Sequence, residues 1–297
     1  MGRLEVFRSR IPTDMFREII EDVELALKQY GPLESHDNEE TRSRFLASLF
    51  NRIIGLFESI IINKPGGLLE SEFSKKGRIE HHFVAVDAIS IVFIEVKKIL
   101  TTGKHALDTK GQVLAECAAC DYANYKDGHW VPILAILCDG NNFEYFVYDS
   151  GDKRIYTSGR VTGIISDEQQ STAEFLYSTK KTTEYLFDWF IMAYINGIRA
   201  LGDRSSSRSK VKKRSSTEKW ASALTRAENA HWLLREAAKA AQEGHFKESE
   251  TMASNGVEQL KLSVSELLRQ LYNTGFDTVR DGTTSLEEAL KDRGLLI

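Results

Sequence analysis

The segment from Ile89 to Val96 constrains the fold more than any other part of the sequence. It runs Ile-Ser-Ile-Val-Phe-Ile-Glu-Val, a nearly continuous apolar stretch rich in β-branched and aromatic residues. Such residues favour strands, and an apolar run of this kind indicates a strand that is buried on both faces. Sheets with two buried faces are covered by helices, so the sequence predicts an α/β fold. A chain of 297 residues can bury a core of that size.

Two charged residues, Glu95 and Lys97, stand at the end of this apolar run. Alternation along a strand puts both on one face, and a buried charge is costly unless it is paired or bound to a metal. Asp87 ends the preceding predicted strand, and if the two strands pair, all three groups converge on one end of the sheet. Two carboxylates and a lysine would hold Mg²⁺, activate a water and stabilise charge on a scissile phosphate. Alternatively, these residues are solvated positions on the exposed face of an antiparallel sheet.

The hydrophobic period predicts helices and strands along the rest of the first 200 residues. The predicted helices cover Thr13 to Tyr30, a longer segment from a cap at Asn38 to the loop at Asn63-Lys64-Pro65-Gly66-Gly67, Asp108 to Tyr125, and Ser171 to Leu201. The predicted strands cover Ile79 to Val86, Ile89 to Val96, Val131 to Cys138, Phe143 to Asp149, and a short segment around Arg154 to Tyr156. Asp139-Gly140-Asn141-Asn142, between two of these strands, is typical of a hairpin.

A change of composition after residue 203 predicts a domain boundary. The segment 204–216 is rich in Ser, Arg and Lys and nearly lacks core-forming residues, which is typical of a flexible linker. It would separate a domain of residues 1–203 from residues 217–297, which are predicted to be a helical domain. The basic cluster Lys210 to Arg214 is similar to a nuclear-import signal or a phosphate-contacting arm, and a solvated linker is the alternative.

Charge and composition exclude several classes of protein. The net charge is −4, and residues 1–203 hold 23 Lys and Arg against 30 Asp and Glu, so any nucleic acid must be bound by local patches. No apolar stretch approaches the length of a membrane span, and the first residues lack the apolar core of a secretory signal. Three cysteines cannot form a paired disulfide framework. We therefore expect an intracellular protein, cytoplasmic or, through the basic cluster, nuclear.

The order of the motifs resembles that of the PD-(D/E)xK nuclease superfamily. A helix that opens with Asn38-Glu-Glu-Thr-Arg42 precedes a strand ending in Asp87, a strand with Glu95-Val-Lys97, and a helix that contains Gln112. The opening of the first helix is similar to that of restriction-type members and of the nuclease-like domains of Crinkler-type effectors. The resemblance covers roughly residues 39–149 and rests on motif order. Val86 stands before Asp87, where the family pattern has a proline.

This resemblance implies a restriction-endonuclease-like fold, in which helices flank a central mixed sheet, and a metal-dependent site. Glu39, Asp87 and Glu95 would bind Mg²⁺ or Mn²⁺. Lys97 would orient the attacking water and stabilise the phosphate, and Gln112 would position one of these groups. The implied activity is hydrolysis of phosphodiester bonds in nucleic acid, with DNA favoured over RNA as the partner.

Either of two neighbouring glutamates at the start of the first helix could be the metal ligand, and a third glutamate is predicted to lie outside the site. Glu39 is preferred to Glu40 because it adjoins Asn38, although the spacing allows either. Glu80 lies seven residues before Asp87 and so on the opposite strand face, which predicts that it stands outside the site.

Other features of the sequence favour structural roles over catalytic ones. Cys117 and Cys120 are predicted to be small buried residues, because no second Cys or His pair has metal-ligand spacing. The alternative to an enzyme is an interaction module, in which the helices of residues 217–297 bind a protein partner and the nuclease-like sheet is only a scaffold.

Overall fold

The computed structural model of the protein describes residues 1–36, 38–64, 68–69, 77–78, 80–85, 89–100, 104–164, 171–208 and 214–272. The helices are α1 (Thr13–Tyr30), α2 (Glu39–Gly55), α3 (Lys104–Lys126), α4 (Thr172–Arg208), α5 (Arg214–Gln242) and α6 (Phe246–Tyr272). The strands are β1 (Gly2–Arg3), β2 (Ile61–Asn63), β3 (Leu68–Leu69), β4 (Gly77–Arg78), β5 (His81–Ala85), β6 (Ile89–Val96), β7 (Ile133–Cys138), β8 (Asn142–Asp149) and β9 (Arg154–Thr162). None of the helices in these ranges is long and apolar enough to cross a membrane.

Seven of the strands form one mixed sheet in the order β1-β9-β8-β7-β6-β5-β2. Inside this sheet, β6 pairs antiparallel with β5 and parallel with β7. Parallel neighbours need a crossover connection, and α3 supplies it. Beyond β7, the strands β8 and β9 continue antiparallel, with β8 and β7 joined at the predicted hairpin. The prediction of an α/β fold with a central mixed sheet is confirmed.

Successive residues of β6 face two different helical layers. Ile94 belongs to the main core, which includes Phe190 of α4. On the other face, Leu137 of β7 packs with Val113 of α3 in a second, smaller cluster. Glu95 stands directly beside Leu137 in the parallel ladder, so its side chain lies on the α3 face. Cys117 and Cys120 are buried in that same smaller cluster, as predicted.

The start of α2 is as predicted, but its end is not. The side-chain oxygen of Asn38 accepts a hydrogen bond from the backbone N–H of Thr41 at 2.8 Å and so caps the helix. The helix stops at Gly55, whereas the sequence predicts helix up to the loop near residue 63. The β-branched residues beyond it enter β2 instead, where Ile61 pairs with Ala85 of β5. Pairing with the sheet edge outweighs the helical period of this apolar segment.

The C-terminal helices share the core of the sheet layer. Buried residues of α5 and α6, such as Leu234 and Leu260, belong to the main core cluster. Helix also covers both ends of the predicted linker, because α4 extends to Arg208 and α5 begins at Arg214. Residues 209–213, with most of the basic cluster, lie outside the described part of the chain. The division into two domains stays a prediction.

The buried Asp188 of α4 is stabilised by several hydrogen-bond donors. Asp188 accepts hydrogen bonds from Ser9 at 2.9 Å, from His231 at 2.8 Å and from two nitrogens of Arg235 at 2.7 Å each. Burial alone raises the pKa of Asp188, but the bonds from Arg235 and His231 outweigh it, and the pKa is lowered. Both carboxylate oxygens therefore have partners.

Candidate active site

The site lies on the α3 face of the sheet, where β6 ends. Glu95 is fully buried, and Lys97 follows two residues later on the same face. The backbone N–H of Lys97 still donates to the carbonyl oxygen of Cys138 at 2.9 Å, so the ladder with β7 holds this lysine in place. In open α/β sheets, ligands bind at the carboxyl ends of parallel strands, and both charged residues lie at such an end.

One carboxylate oxygen of Glu95 carries both of its strong hydrogen bonds. Glu95 Oε1 accepts from Lys97 Nζ at 2.6 Å and from Gln112 Nε2 of α3 at 2.6 Å. The second oxygen, Oε2, is buried and has no hydrogen-bond partner within the described part of the chain. The structure therefore brings together three of the predicted site residues, and it leaves one buried carboxylate oxygen open.

A further acid, Glu116, lies one helical turn beyond Gln112. Residues four apart on a helix share a face, and Gln112 Nε2 also donates to Glu116 Oε1 at 3.0 Å. Glu116 is 4% exposed, and none of the described residues forms a hydrogen bond with its Oε2. Its spacing to Gln112 was the available signal in the sequence, but the resemblance assigns no role to this position.

Glu80 is also part of the site, which corrects the prediction that sets it aside. The register pairs His81 of β5 with Ile94 of β6, so Glu80 comes to lie alongside Glu95. Glu80 Oε2 accepts from the backbone N–H of Val96 at 3.3 Å. The prediction counted alternation from Asp87 along the chain, whereas the pairing with β6 decides which groups meet.

The first turn of α2 brings Glu39 to the outer side of the cluster. Its Oε1 lies 3.8 Å from Lys97 Nζ. The neighbouring Glu40 instead pairs with Arg44 at 2.6 Å on the exposed side of the helix. Of the two candidates, Glu39 is the one that the structure places beside the other site residues. Asp87 lies outside the described residues.

Burial and mutual repulsion shift the proton affinities of the acids. Burial, with the neighbouring carboxyl groups of Glu80 and Glu116, raises the pKa of Glu95 to about 9, against the bond from Lys97. Burial likewise raises the pKa of Glu116 to about 7, although the bond from Gln112 opposes this. Burial lowers the pKa of Lys97, but the hydrogen bond and charge of Glu95 outweigh it, and the pKa is raised. These buried carboxyl groups therefore bind protons readily, and a cation that bound here would compete with those protons.

The donor set suits a hard cation. Within the described residues, no three His, Cys, Asp or Glu side chains already form a closed metal-binding group. However, Glu95 and Glu116 each keep a buried carboxyl oxygen that no described residue bonds, unlike Asp188, whose oxygens are both bonded. Oxygen atoms of carboxylates are the ligands that Mg²⁺ and Mn²⁺ prefer. Glu95, supported by Glu39, therefore fits the implied metal.

Comparison with known proteins adds little to this geometry. No protein-family model matches the chain, and no curated protein matches it. Among solved structures, it is similar to one chain of a cryo-EM structure of a DrdV–DNA complex, at 11% identity and a TM-score of 0.34. The match covers 94% of this chain and 27% of that chain. A likeness at this TM-score carries no argument about fold or function.

Proposed function

We propose that the protein is a Mg²⁺- or Mn²⁺-dependent nuclease of the PD-(D/E)xK type, which hydrolyses phosphodiester bonds in nucleic acid, with DNA ahead of RNA. The observation that supports this proposal most strongly is the burial and hydrogen bonding of Glu95. It is a fully buried carboxyl group whose Oε1 is held by Lys97 and Gln112 and whose Oε2 has no hydrogen-bond partner among the residues that the structure describes. A scaffold gains nothing from such a group, because an unpaired buried carboxylate oxygen is costly.

The residues divide the chemistry among them. Glu95, Glu39 and, by the resemblance, Asp87 hold the cation, which when bound supplies charge for the phosphate and lowers the pKa of a water. Lys97 forms an ion pair with the buried Glu95, and its own side chain is partly exposed. Its ammonium group orients the water and stabilises the charge that develops on the phosphate. Gln112 keeps Glu95 Oε1 occupied and so directs Oε2 towards the cation.

The arrangement of the elements supports a restriction-endonuclease-like core. Glu95 lies on β6 and Lys97 directly after it, and β6 stands between an antiparallel neighbour and a parallel one. The crossover helix α3 covers the same face and contributes Gln112. The acidic residue comes from the start of a separate helix, α2. These three features agree with three of the four motifs on which the resemblance rests, the fourth being Asp87, which lies outside the described residues.

A second candidate function is a non-catalytic interaction module. The observation that favours it is the exposure of two large aromatic residues on the C-terminal helices, Trp232 at 60% and Phe246 at 67%. Exposed aromatic side chains are enriched at sites of protein association. In this case, the helices α5 and α6 would hold a protein partner, and substitutions at Glu95 would leave the binding of that partner unchanged.

Direct assay of nuclease activity tests the proposal. Plasmid DNA, single-stranded DNA and a structured RNA are incubated with the purified full chain in excess Mg²⁺ or Mn²⁺. We expect cleavage that requires the metal and stops with EDTA, with DNA cut faster than RNA. A preparation of Glu95→Gln made in parallel controls for contaminating nucleases. Equal cleavage by both preparations, or none of any substrate, would contradict the proposal.

A further inference from the structure

The side-chain amide of Gln112 is held between two carboxylates. Its Nε2 donates to Glu95 Oε1 at 2.6 Å and to Glu116 Oε1 at 3.0 Å. A glutamine amide has a donor end and an acceptor end of nearly the same shape, so packing alone does not choose between them. Two carboxyl acceptors within reach of the NH₂ group make that choice, because the carbonyl end would be repelled by both.

We propose that Glu116 is a positioning residue of the site, which fixes the Gln112 amide with its NH₂ group towards Glu95. The inference rests on the proposed nuclease function and extends it to a residue outside the family motif. With Glu116 in place, Gln112 and Lys97 both donate to Glu95 Oε1, and Oε2 is left to the cation. Without it, the Gln112 amide is free to turn or to leave Glu95, and the carboxylate loses its fixed orientation.

The surroundings of Glu116 argue against a role in packing alone. Adjacent positions on the inner face of α3 are filled by Val113 and Cys117, which lie in an apolar cluster. An aliphatic residue at position 116 would extend that cluster, whereas a carboxylate that is 4% exposed opposes it. The acceptor oxygen for Gln112 is the contact that a carboxylate makes here and an aliphatic residue could not.

Substitutions at position 116 separate the acceptor from the charge. Glu116→Gln keeps an oxygen for Gln112 and removes the charge, whereas Glu116→Ala removes both. We expect kcat for cleavage to fall roughly 10- to 100-fold in Glu116→Ala, as for other residues that orient metal ligands, with KM unchanged. Glu116→Gln should retain wild-type kcat within about twofold. In a Gln112→Ala background, Glu116→Ala should have no further effect, because Glu116 acts through Gln112.

Two outcomes of this cycle would overturn the inference. If Glu116→Gln loses as much activity as Glu116→Ala, the charge is what matters, and Glu116 is a direct cation ligand. If Glu116→Ala lowers kcat further in the Gln112→Ala background, Glu116 does not act through the amide. A nuclease assay without activity in the wild type would remove the proposed function itself, and the orientation of Gln112 then needs a separate measurement.

That measurement is NMR of the metal-free full chain with ¹⁵N-labelled glutamine side chains. The Gln112 amide pair is identified by its loss in Gln112→Ala. We expect the pair to keep its position in Glu116→Gln, which adds one pair of its own, and to shift or broaden in Glu116→Ala. An unchanged pair in Glu116→Ala would show that Glu116 does not orient Gln112, whatever the activity of the protein.

Discussion

Lys97→Ala is expected to abolish cleavage while leaving metal binding nearly intact. The Lys97 ammonium group contributes charge and orientation but no metal–oxygen bond, so its removal affects the transition state more than the cation. Loss of one such donor in a site sheltered from water lowers kcat by roughly 10²- to 10³-fold. The measurement is a comparison of cleavage rates and of metal-dependent thermal stabilisation in the variant and the wild type.

Lys98→Ala is the matched control for this substitution. Lys98 is the next residue along the chain and is exposed, so its removal changes the local charge equally without touching Glu95. We expect its kcat to stay within about threefold of the wild type, the scale of a screened surface charge. Equal losses in both variants would indicate a general loss of basic charge for substrate binding, and the assigned role of Lys97 would be wrong.

Glu95→Gln is expected to stabilise the metal-free protein at alkaline pH while removing cleavage. A carboxyl whose pKa rises from 4.5 in the unfolded chain to about 9 in the folded one binds more protons when folded. Stability therefore falls as pH rises between these two values, by an amount on the order of a few kcal/mol, since each pKa unit corresponds to about 1.4 kcal/mol. Glutamine keeps the shape of the side chain and cannot ionise.

The melting temperature of both proteins, followed from pH 5 to pH 9 in EDTA, checks this prediction. We expect the wild-type melting temperature to fall across this range and that of Glu95→Gln to fall less, so that the variant is the more stable protein at pH 8. Glu40→Gln is the control, because Glu40 is exposed and pairs with Arg44 on the surface. A steeper fall in Glu95→Gln than in the wild type would contradict the buried, proton-binding state of Glu95.

Much of the fold was predictable because the strong signals are local. The apolar run of β6, the helical stripe of α1, the cap at Asn38 and the hairpin at residues 139–142 each follow from residues close in sequence. The end of α2 was not predictable in this way. Its apolar continuation has a helical period, but Ile61 gains a pairing partner on β5 that only the assembled sheet provides.

The residues of the candidate site were likewise predictable only in part from the sequence. Glu95 and Lys97 could be identified from charge inside an apolar strand, and Gln112 and Glu39 from the resemblance. Glu80 was missed because its place depends on the register between β5 and β6, in which a shift between Phe83 and Val84 interrupts regular alternation. Glu116 was missed because a glutamate on a helix is ordinarily solvated, and only the packing of α3 on the sheet buries it.

Metal-dependent thermal stabilisation tests the metal-site assignment most directly. Wild type, Glu95→Gln and Asp87→Ala are melted with and without Mn²⁺ or Mg²⁺, with ionic strength balanced by a monovalent salt. A cation at about 100 times its Kd stabilises the folded chain by about 2.7 kcal/mol, which raises the melting temperature by roughly 4 °C in a protein of 297 residues. We expect this rise in the wild type and in neither carboxylate variant. Equal shifts in all three proteins, or none in the wild type, would contradict a metal site built on Glu95.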